Sequence, residues 1–226
     1  MKLLKKLSAI LLAIVLLFGS MPMAELGLEG LFTPKASAAS QQEEGKDYNN
    51  FVYTYTNGNR GIKIIKYMGA DKHITVPDFI ENLPVTELDS YSFSPTAYNN
   101  YKNPDCLYIE TVTLPDSIIT IGDNAFLNCR YLYGVNIPSE LKTICDKAFM
   151  NCYSLSSIDL SGDLFELGAD AFNGTAIKKL DIGSKNRPYY MNIYKNFLRG
   201  SNVEEFTITS EYITFYSNSL ANDSLK

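Results

Sequence analysis

The chain has 226 residues, of which 46% are hydrophobic and 20% are charged, and this composition is typical of a folded globular protein rather than a disordered one. Its 25 acidic and 20 basic residues give a net charge of −5. Nucleic-acid binding depends on a surplus of positive charge, so an acidic chain of this kind is not expected to bind nucleic acid.

The N-terminus has the pattern of an export signal. Three lysines among the first six residues precede an uncharged apolar run over 7–19, and small residues follow at 36–39. The run is shorter than the roughly 20 residues that span a bilayer, so we predict a signal peptide at 1–38. A cut after Ala24 and an uncleaved anchor helix are the alternatives. We expect a secreted or surface-associated chain of net charge −7 that is not stably inserted in the membrane.

A short polar segment at 39–47 predicts a linker, and an internal repeat follows it. The dipeptide Ala-Phe recurs at 125–126, 148–149 and 171–172, so that its phenylalanines are 23 residues apart. Phe93 and Phe197 extend this row with spacings of 33 and 25, and Leu220 follows Phe197 by a further 23.

Three further rows keep step with the Ala-Phe row. The first consists of apolar–polar–apolar triplets followed by a turn residue, at 74–76, 112–114, 135–137, 158–160, 180–182 and 206–208. The second is a cysteine row, formed by Cys106, Cys129 and Cys152. The third is a short apolar segment before each Ala-Phe, marked by Ile121, Ile144 and Leu167.

Repeats with a period near 23 predict a leucine-rich-repeat solenoid, because one unit cannot bury its apolar side chains without stacking on its neighbours. We expect five to six coils of short β-strands and turns, with little helix after the signal peptide. The predicted solenoid covers 48–226. It comprises a first, capping repeat at 48–93, an insertion at 94–105 and regular repeats at 106–226.

The repeat resembles the BspA-like leucine-rich repeats of bacterial surface and secreted proteins. The residues that carry this resemblance are Cys129, Leu132, Val135, Ile137, Pro138, Leu141, Ile144, Ala148, Phe149 and Cys152. The stretch from Tyr55 to Phe93 resembles the first segment of that family. The resemblance implies an extracellular array used for adhesion or interaction, and it implies no catalytic activity.

The chain departs from the pattern in two irregular segments, the insertion at 94–105 and a lengthened stretch at 183–196. Both are rich in tyrosine. Solenoids normally need a polar cap at their ends. After the Leu220 position we expect one of three arrangements: capping by local polar residues, pairing with another chain, or continuation in a longer protein.

The sequence offers little for catalysis. Its single histidine, His73, has no second histidine with which to form a catalytic or metal-binding set, and no glycine-rich phosphate loop occurs. We therefore expect no enzyme activity, no catalytic residues and no cofactor or metal.

The cysteines leave two arrangements open. Cys106, Cys129 and Cys152 would stack at about the 4.8 Å spacing of neighbouring strands, which is within reach of a disulfide. Buried free thiols are favoured over a 106–129 or 129–152 bridge, since regular repeat positions are usually packing positions. Cys145 lies off this row and is expected to be unpaired.

Binding is the function that remains. By the two-residue period of a strand, the middle residue of each triplet faces solvent, and Asp159 and Asp181 would lie side by side as a solvated acidic patch. Exposed tyrosines give large contact areas with a polar tip. We expect a binding or adhesion module for a protein partner; the alternatives are a glycan-binding module and a structural spacer that assembles with a partner chain. The candidate ligand-binding residues are Tyr98, Tyr101, Tyr189, Tyr190, Asn136, Asp159 and Asp181.

Overall fold

The computed structural model describes residues 45–98, 100–160, 162–183, 190–209 and 212–219. The predicted signal peptide at 1–38 lies outside these residues, as does the linker up to residue 44. The first strand, β1 (Lys46–Tyr48), takes two residues that the sequence placed in the linker, because Lys46 and Asp47 pair with β2.

The N-terminal repeat is an antiparallel meander that joins a parallel sheet. β1 pairs with β2 (Phe51–Tyr55), and β2 pairs with β3 (Ile62–Tyr67). The meander ends where β3 pairs in parallel with β6 (Leu83–Leu88), which also pairs with the two-residue strand β5 (Phe79–Ile80). From β6 onward each coil adds one strand to this sheet.

The back sheet is formed by the segment that precedes each Ala-Phe. It continues in parallel from β6 through β8 (Thr120–Ile121), β10 (Thr143–Ile144), β11 (Glu166–Leu167), β13 (Tyr190–Ile193) and β15 (Tyr212–Phe215). Ile121, Ile144, Leu167 and Ile193 are in register and fully buried. The sequence period thus becomes a ladder of side chains in the core.

The front sheet is formed by the triplets. β4 (His73–Thr75), β7 (Thr111–Thr113) and β9 (Gly134–Val135) pair in parallel, as do β12 (Lys179–Ile182) and β14 (Glu205–Ile208). Between these two groups the triplet at 158–160 makes one bridge, from Leu160 to Ile182. The insertion at 94–105 leads into a 3-10 turn at Pro104–Tyr108. The described part of the chain is a β-solenoid of about six turns with almost no helix, as predicted.

Stacked phenylalanines fill one corner of the core. Ring centroids lie 5.1 Å apart from Phe93 to Phe126, 5.0 Å from Phe126 to Phe149 and 5.4 Å from Phe149 to Phe172, with planes within 13° of parallel. The amides of Phe93, Phe126 and Phe149 also donate to the carbonyl of the next Ala-Phe alanine, as from Phe126 to Ala148 at 2.8 Å. An aromatic contact of this kind contributes roughly 0.5–1.5 kcal/mol beyond burial, so the row is a major source of stability.

The prediction that Phe197 continues this row is wrong by one residue. The amide of Phe149 donates to Ala171, and the equivalent amide of Phe172 donates to Phe197. Phe197 therefore occupies the alanine position, and the next residue, Leu198, occupies the phenylalanine position; both are fully buried. The strand pair Leu167–Ile193 shows the same offset of 26 residues, three more than in the preceding coil.

A row of left-handed residues turns the chain beside this corner. Asn124, Lys147, Asp170, Asn196 and Asn218 have φ between 56° and 62°. Asparagine and aspartate tolerate this conformation better than other non-glycine residues, because their short side chains can bond to the local backbone. Lys147 is an exception, as is Tyr91 (φ 60°) at the equivalent position before Phe93.

Candidate binding surfaces

The middle residues of the triplets face solvent as predicted. All six are exposed: Thr75, Thr113, Asn136, Asp159, Asp181 and Thr207. Asn136 is held against the preceding coil, because its side-chain oxygen accepts from the Leu114 amide at 2.7 Å and its nitrogen donates to the Leu114 carbonyl at 2.8 Å. Its amide group therefore ties two coils together.

Asp159 and Asp181 occupy adjacent coils. The parallel bridge between Leu160 and Ile182 sets the two triplets in register, which puts the aspartates beside each other on the exposed face. The Lys179 ammonium lies 3.9 Å from Asp181 and 3.6 Å from Glu205. The expected acidic patch is thus partly balanced by a lysine, and exposed ion pairs of this kind contribute little to stability.

A groove opens in the front sheet next to Asp159. Among the described residues, no backbone hydrogen bond joins 133–138 to 155–160, so the ladder is interrupted between these two coils. A cavity of about 520 Å³ lies there, lined by Val135, Ile137 and Pro138 together with Asn136 and Asp159. The break places two of the predicted candidate residues at one depression.

The insertion tyrosines pack back on the solenoid. Tyr98 and Tyr101 form a small antiparallel bridge, with reciprocal backbone hydrogen bonds of 2.8 Å. The ring of Tyr98 stacks on Tyr91 with centroids 5.1 Å apart, and the Tyr101 hydroxyl accepts from the Gly45 amide at 3.1 Å. Both side chains are half-buried and are less available to a partner than the sequence indicates.

The second predicted tyrosine group is only partly described. Tyr189 lies outside the described residues. Tyr190, at the start of β13, is 72% exposed, and its ring lies 5.2 Å from that of Tyr212 on the neighbouring strand. Of the three predicted tyrosines that the structure describes, Tyr190 is therefore the one that is open to solvent.

The regular repeats carry an aromatic surface that the sequence analysis missed. Tyr108, Tyr131, Tyr133 and Tyr153 lie between the cysteine row and the front strands, and each is 50–53% exposed. The rings of Tyr108 and Tyr131 stack with centroids 6.0 Å apart, and the Arg130 guanidinium lies 5.8 Å from the centre of the Tyr153 ring. We call these four residues the tyrosine corner. In the sequence, the 23-residue spacing of Tyr108 and Tyr131 is the pattern that could have predicted this surface.

The cysteine row consists of free thiols, as favoured from the sequence. Cys129 Sγ donates to the Phe93 carbonyl at 3.1 Å, and Cys152 Sγ donates to the Phe126 carbonyl at 3.2 Å. Burial raises the pKa of the Cys129 thiol well above its ordinary value, and it raises that of Cys106 to about 12. A thiol kept protonated in this way is a packing group and a weak donor rather than a nucleophile.

The surroundings of His73 are those of a surface side chain. Its Nδ1 lies 2.9 Å from the Thr111 hydroxyl, and its Nε2 lies 3.9 Å from the Glu110 carboxylate. Within the described part of the chain, no three His, Cys, Asp or Glu side chains come close enough to hold a metal ion. No helix in these residues is long and apolar enough to cross a membrane.

Solved structures of bacterial leucine-rich repeat proteins share this fold. The leucine-rich repeat protein of T. pallidum is 25% identical with a TM-score of 0.57, and the match covers 76% of this chain and 86% of that one. A leucine-rich cell surface protein from Faecalibacterium prausnitzii A2-165 is 22% identical with a TM-score of 0.59, over 75% of this chain and 44% of that one. A leucine-rich repeat protein from Bacteroides ovatus is 20% identical with a TM-score of 0.54, over 72% and 40%. No curated protein sequence matches significantly.

The family follows from the repeats themselves. Residues 96–226, more than half of the chain, match six copies of the BspA type leucine rich repeat region. The registered cysteine, triplet and Ala-Phe rows described above are the structural form of that repeat. The chain therefore belongs to the BspA-type leucine-rich repeat family.

Proposed function

We propose that this chain is a secreted, non-enzymatic module that binds a protein partner, with the tyrosine corner as its main contact surface. The observation that carries the proposal is the half-exposure of Tyr108, Tyr131, Tyr133 and Tyr153 on consecutive regular coils. A monomeric surface rarely keeps a cluster of large aromatic rings in water without a use for it.

The chemistry of the corner favours a protein ligand. Tyrosine and arginine are enriched among the residues that dominate protein–protein binding energy, because they combine a large apolar area with polar or charged tips. Arg130 lies over Tyr153 at the edge of the corner, so both residue types are present together. The stack of Tyr108 on Tyr131 limits the motion of both rings, which lowers the entropy lost when a partner binds.

Two of the predicted candidate residues extend this surface in the proposal, and a third, Tyr190, stays an exposed candidate on a separate face. Asp159 and Asp181 lie further along the exposed front face, and Tyr190 lies on the back sheet. Asn136 and the insertion tyrosines Tyr98 and Tyr101 rank lower, because their polar groups or rings already contact the solenoid itself.

The experiment compares variants of the mature chain. Residues 39–226, immobilised, are incubated with bacterial and host surface extracts, and the retained proteins are quantified by mass spectrometry. We expect Tyr131→Ser/Tyr153→Ser to lose the retained partner. Phe79→Ser is the matched control, because it removes an aromatic side chain that is 61% exposed at a distant hairpin and should leave retention unchanged. Equal retention by all three proteins would contradict the proposal.

Export is tested separately. The chain expressed in a bacterial host is collected from the medium, and its N-terminus is sequenced. Cleavage after Ala38 predicts Ala39 as the first residue. A protein that stays with the membrane and still carries Met1 would show that the N-terminal segment is an anchor.

A further inference from the structure

One row of the solenoid changes abruptly from small to aromatic residues. The residue after each back strand is Gly122, Cys145 and Gly168 in three successive coils, and it becomes Tyr194 and then Tyr216 in the next two. The glycine at 168 is required by the fold, because a Cβ there would lie 2.4 Å from the Asp146 amide nitrogen. The coil before Tyr194 therefore cannot place a side chain beside its ring.

This change leaves one face of Tyr194 open. The rings of Tyr194 and Tyr216 are nearly parallel, at 5°, with centroids 4.6 Å apart, so Tyr216 covers the face directed toward the last coil. A pocket of about 460 Å³ runs along this row, and its lining includes Tyr194 and the buried Ala169 of the preceding coil as well as Tyr216 and Ser217 of the last coil. This volume is within the range of small-molecule sites, and its wall includes both of the stacked tyrosine rings. We call it the Tyr194 pocket.

Charged groups of both signs surround this wall. Asp146, Glu166 and Lys195 also line the pocket. Asp146 is fixed, since its Oδ1 accepts from the Ala169 amide at 2.7 Å. The Glu166 carboxylate lies close enough to the Tyr194 hydroxyl to raise the pKa of Tyr194. A hydrogen-bond acceptor and a hydroxyl group are therefore close together in this pocket. The pocket can therefore offer hydrogen-bond acceptors and donors along the edge of an aromatic surface.

The balance of charge narrows the ligand class. A small cation would meet the Lys195 ammonium, and an anion would meet the carboxylates of Asp146 and Glu166. A neutral sugar ring fits better, because its C–H face can pack on the tyrosine ring while its hydroxyl groups both donate and accept. We propose that the Tyr194 pocket binds the ring of a neutral sugar in a glycan chain. The tyrosine corner plays no part in this site, so the two proposals stand or fall independently.

The test uses hexasaccharides as probes. Neutral hexamers of glucose, mannose and galactose are titrated into residues 39–226 by calorimetry, with hexagalacturonate and hexaglucosamine as charged comparisons. We expect at least one neutral hexamer to bind, and Tyr194→Ala to weaken it about tenfold, the loss expected from one aromatic contact of about 1.4 kcal/mol. Tyr194→Phe should retain most of the affinity, because it keeps the ring.

The matched control is Tyr48→Ala, which removes an exposed tyrosine from β1, outside both proposed sites, and should not change the affinity. Thermal unfolding of each variant confirms that it is folded. If Tyr194→Ala is unstable, Glu166→Gln replaces it and should also weaken binding. The proposal is overturned if no neutral hexamer binds at millimolar concentration, if a charged hexamer binds more tightly, or if the folded Tyr194 or Glu166 variant binds as well as the original protein.

Discussion

The buried thiol row makes the stability of the solenoid sensitive to alkaline pH. Cys129 is fully buried and donates to the Phe93 carbonyl, and burial raises its pKa well above the ordinary value of 9.0. In the unfolded chain the same thiol ionises near pH 9.0. Between these two pKa values the folded state binds more protons than the unfolded state, so the free energy of unfolding falls as the pH rises.

The size of this effect follows from the linkage relation. A thiol that stays protonated when folded and has an unfolded pKa of 9.0 contributes almost no pH dependence at pH 8. By pH 10 its ionisation in the unfolded chain lowers the free energy of unfolding by about 1.4 kcal/mol. Cys129→Ala removes this contribution. Between pH 8 and pH 10, the free energy of unfolding of the variant should therefore fall by about 1.4 kcal/mol less than that of the original protein.

The assay is urea denaturation at both pH values, with a phosphine reductant present to exclude disulfides. Comparing the pH-dependent losses cancels the cost of the alanine substitution itself. Ser139→Ala, at an exposed position that does not titrate, is the control and should behave like the original protein. An identical pH dependence for Cys129→Ala and the original protein would refute the reasoning, because it would mean that the folded thiol ionises as readily as the unfolded one.

Three substitutions test the packing of the coils by the free energy of unfolding in urea. Phe149→Ala should lower the free energy of unfolding by about 3–5 kcal/mol, since it opens a cavity between two stacked rings. Tyr153→Ala at the surface should change it by less than about 0.5 kcal/mol. Similar losses for the two variants would contradict the assignment of Phe149 to the core. Lys147→Asn should stabilise by about 0.5–1 kcal/mol because it relieves a left-handed lysine, and a loss would show that the lysine makes a compensating contact. The buried ammonium of Lys66 donates to the carbonyls of Tyr91, Ser94 and Thr96. Lys66→Met should therefore lower the free energy of unfolding by about 2 kcal/mol and speed amide hydrogen exchange in 94–98. Unchanged exchange would show that Lys66 does not hold the insertion in place.

The repeat made most of the fold predictable. A 23-residue period with registered apolar positions leaves few alternatives to stacked coils, because each unit can bury its apolar face only against a neighbour. The two strand rows, the burial of Phe126, Phe149 and Phe172, and the outward triplet positions all follow from that constraint. The predicted register is wrong at Phe197. Because this coil is three residues longer, Leu198 and not Phe197 occupies the phenylalanine position.

The candidate surfaces were less predictable, because the sequence does not show which exposed side chains already have a contact within the fold. Tyr98 and Tyr101 looked available since they lie in a polar insertion, but a local turn and contacts to Tyr91 and Gly45 hold both of them. Asn136 looked like a solvated polar residue, but its amide group bonds to the coil before it. Each of these contacts joins residues in different coils or in a turn, so a pattern read along the chain misses it.

The two proposed sites, the tyrosine corner and the Tyr194 pocket, arise in different ways from the repeat. A residue that recurs at a constant offset occupies the same place in successive coils. Tyr108 and Tyr131 stack because each follows its cysteine by two residues. A residue that interrupts a row changes the surface at one place only. The change from Gly168 to Tyr194 puts a tyrosine ring in the lining of the Tyr194 pocket. Regular positions therefore favour extended contacts, as with a protein surface, and row breaks favour compact ligands, as with a sugar ring. Both proposed sites lie on the ladders themselves, whereas the insertion tyrosines Tyr98 and Tyr101 contact Tyr91 and Gly45.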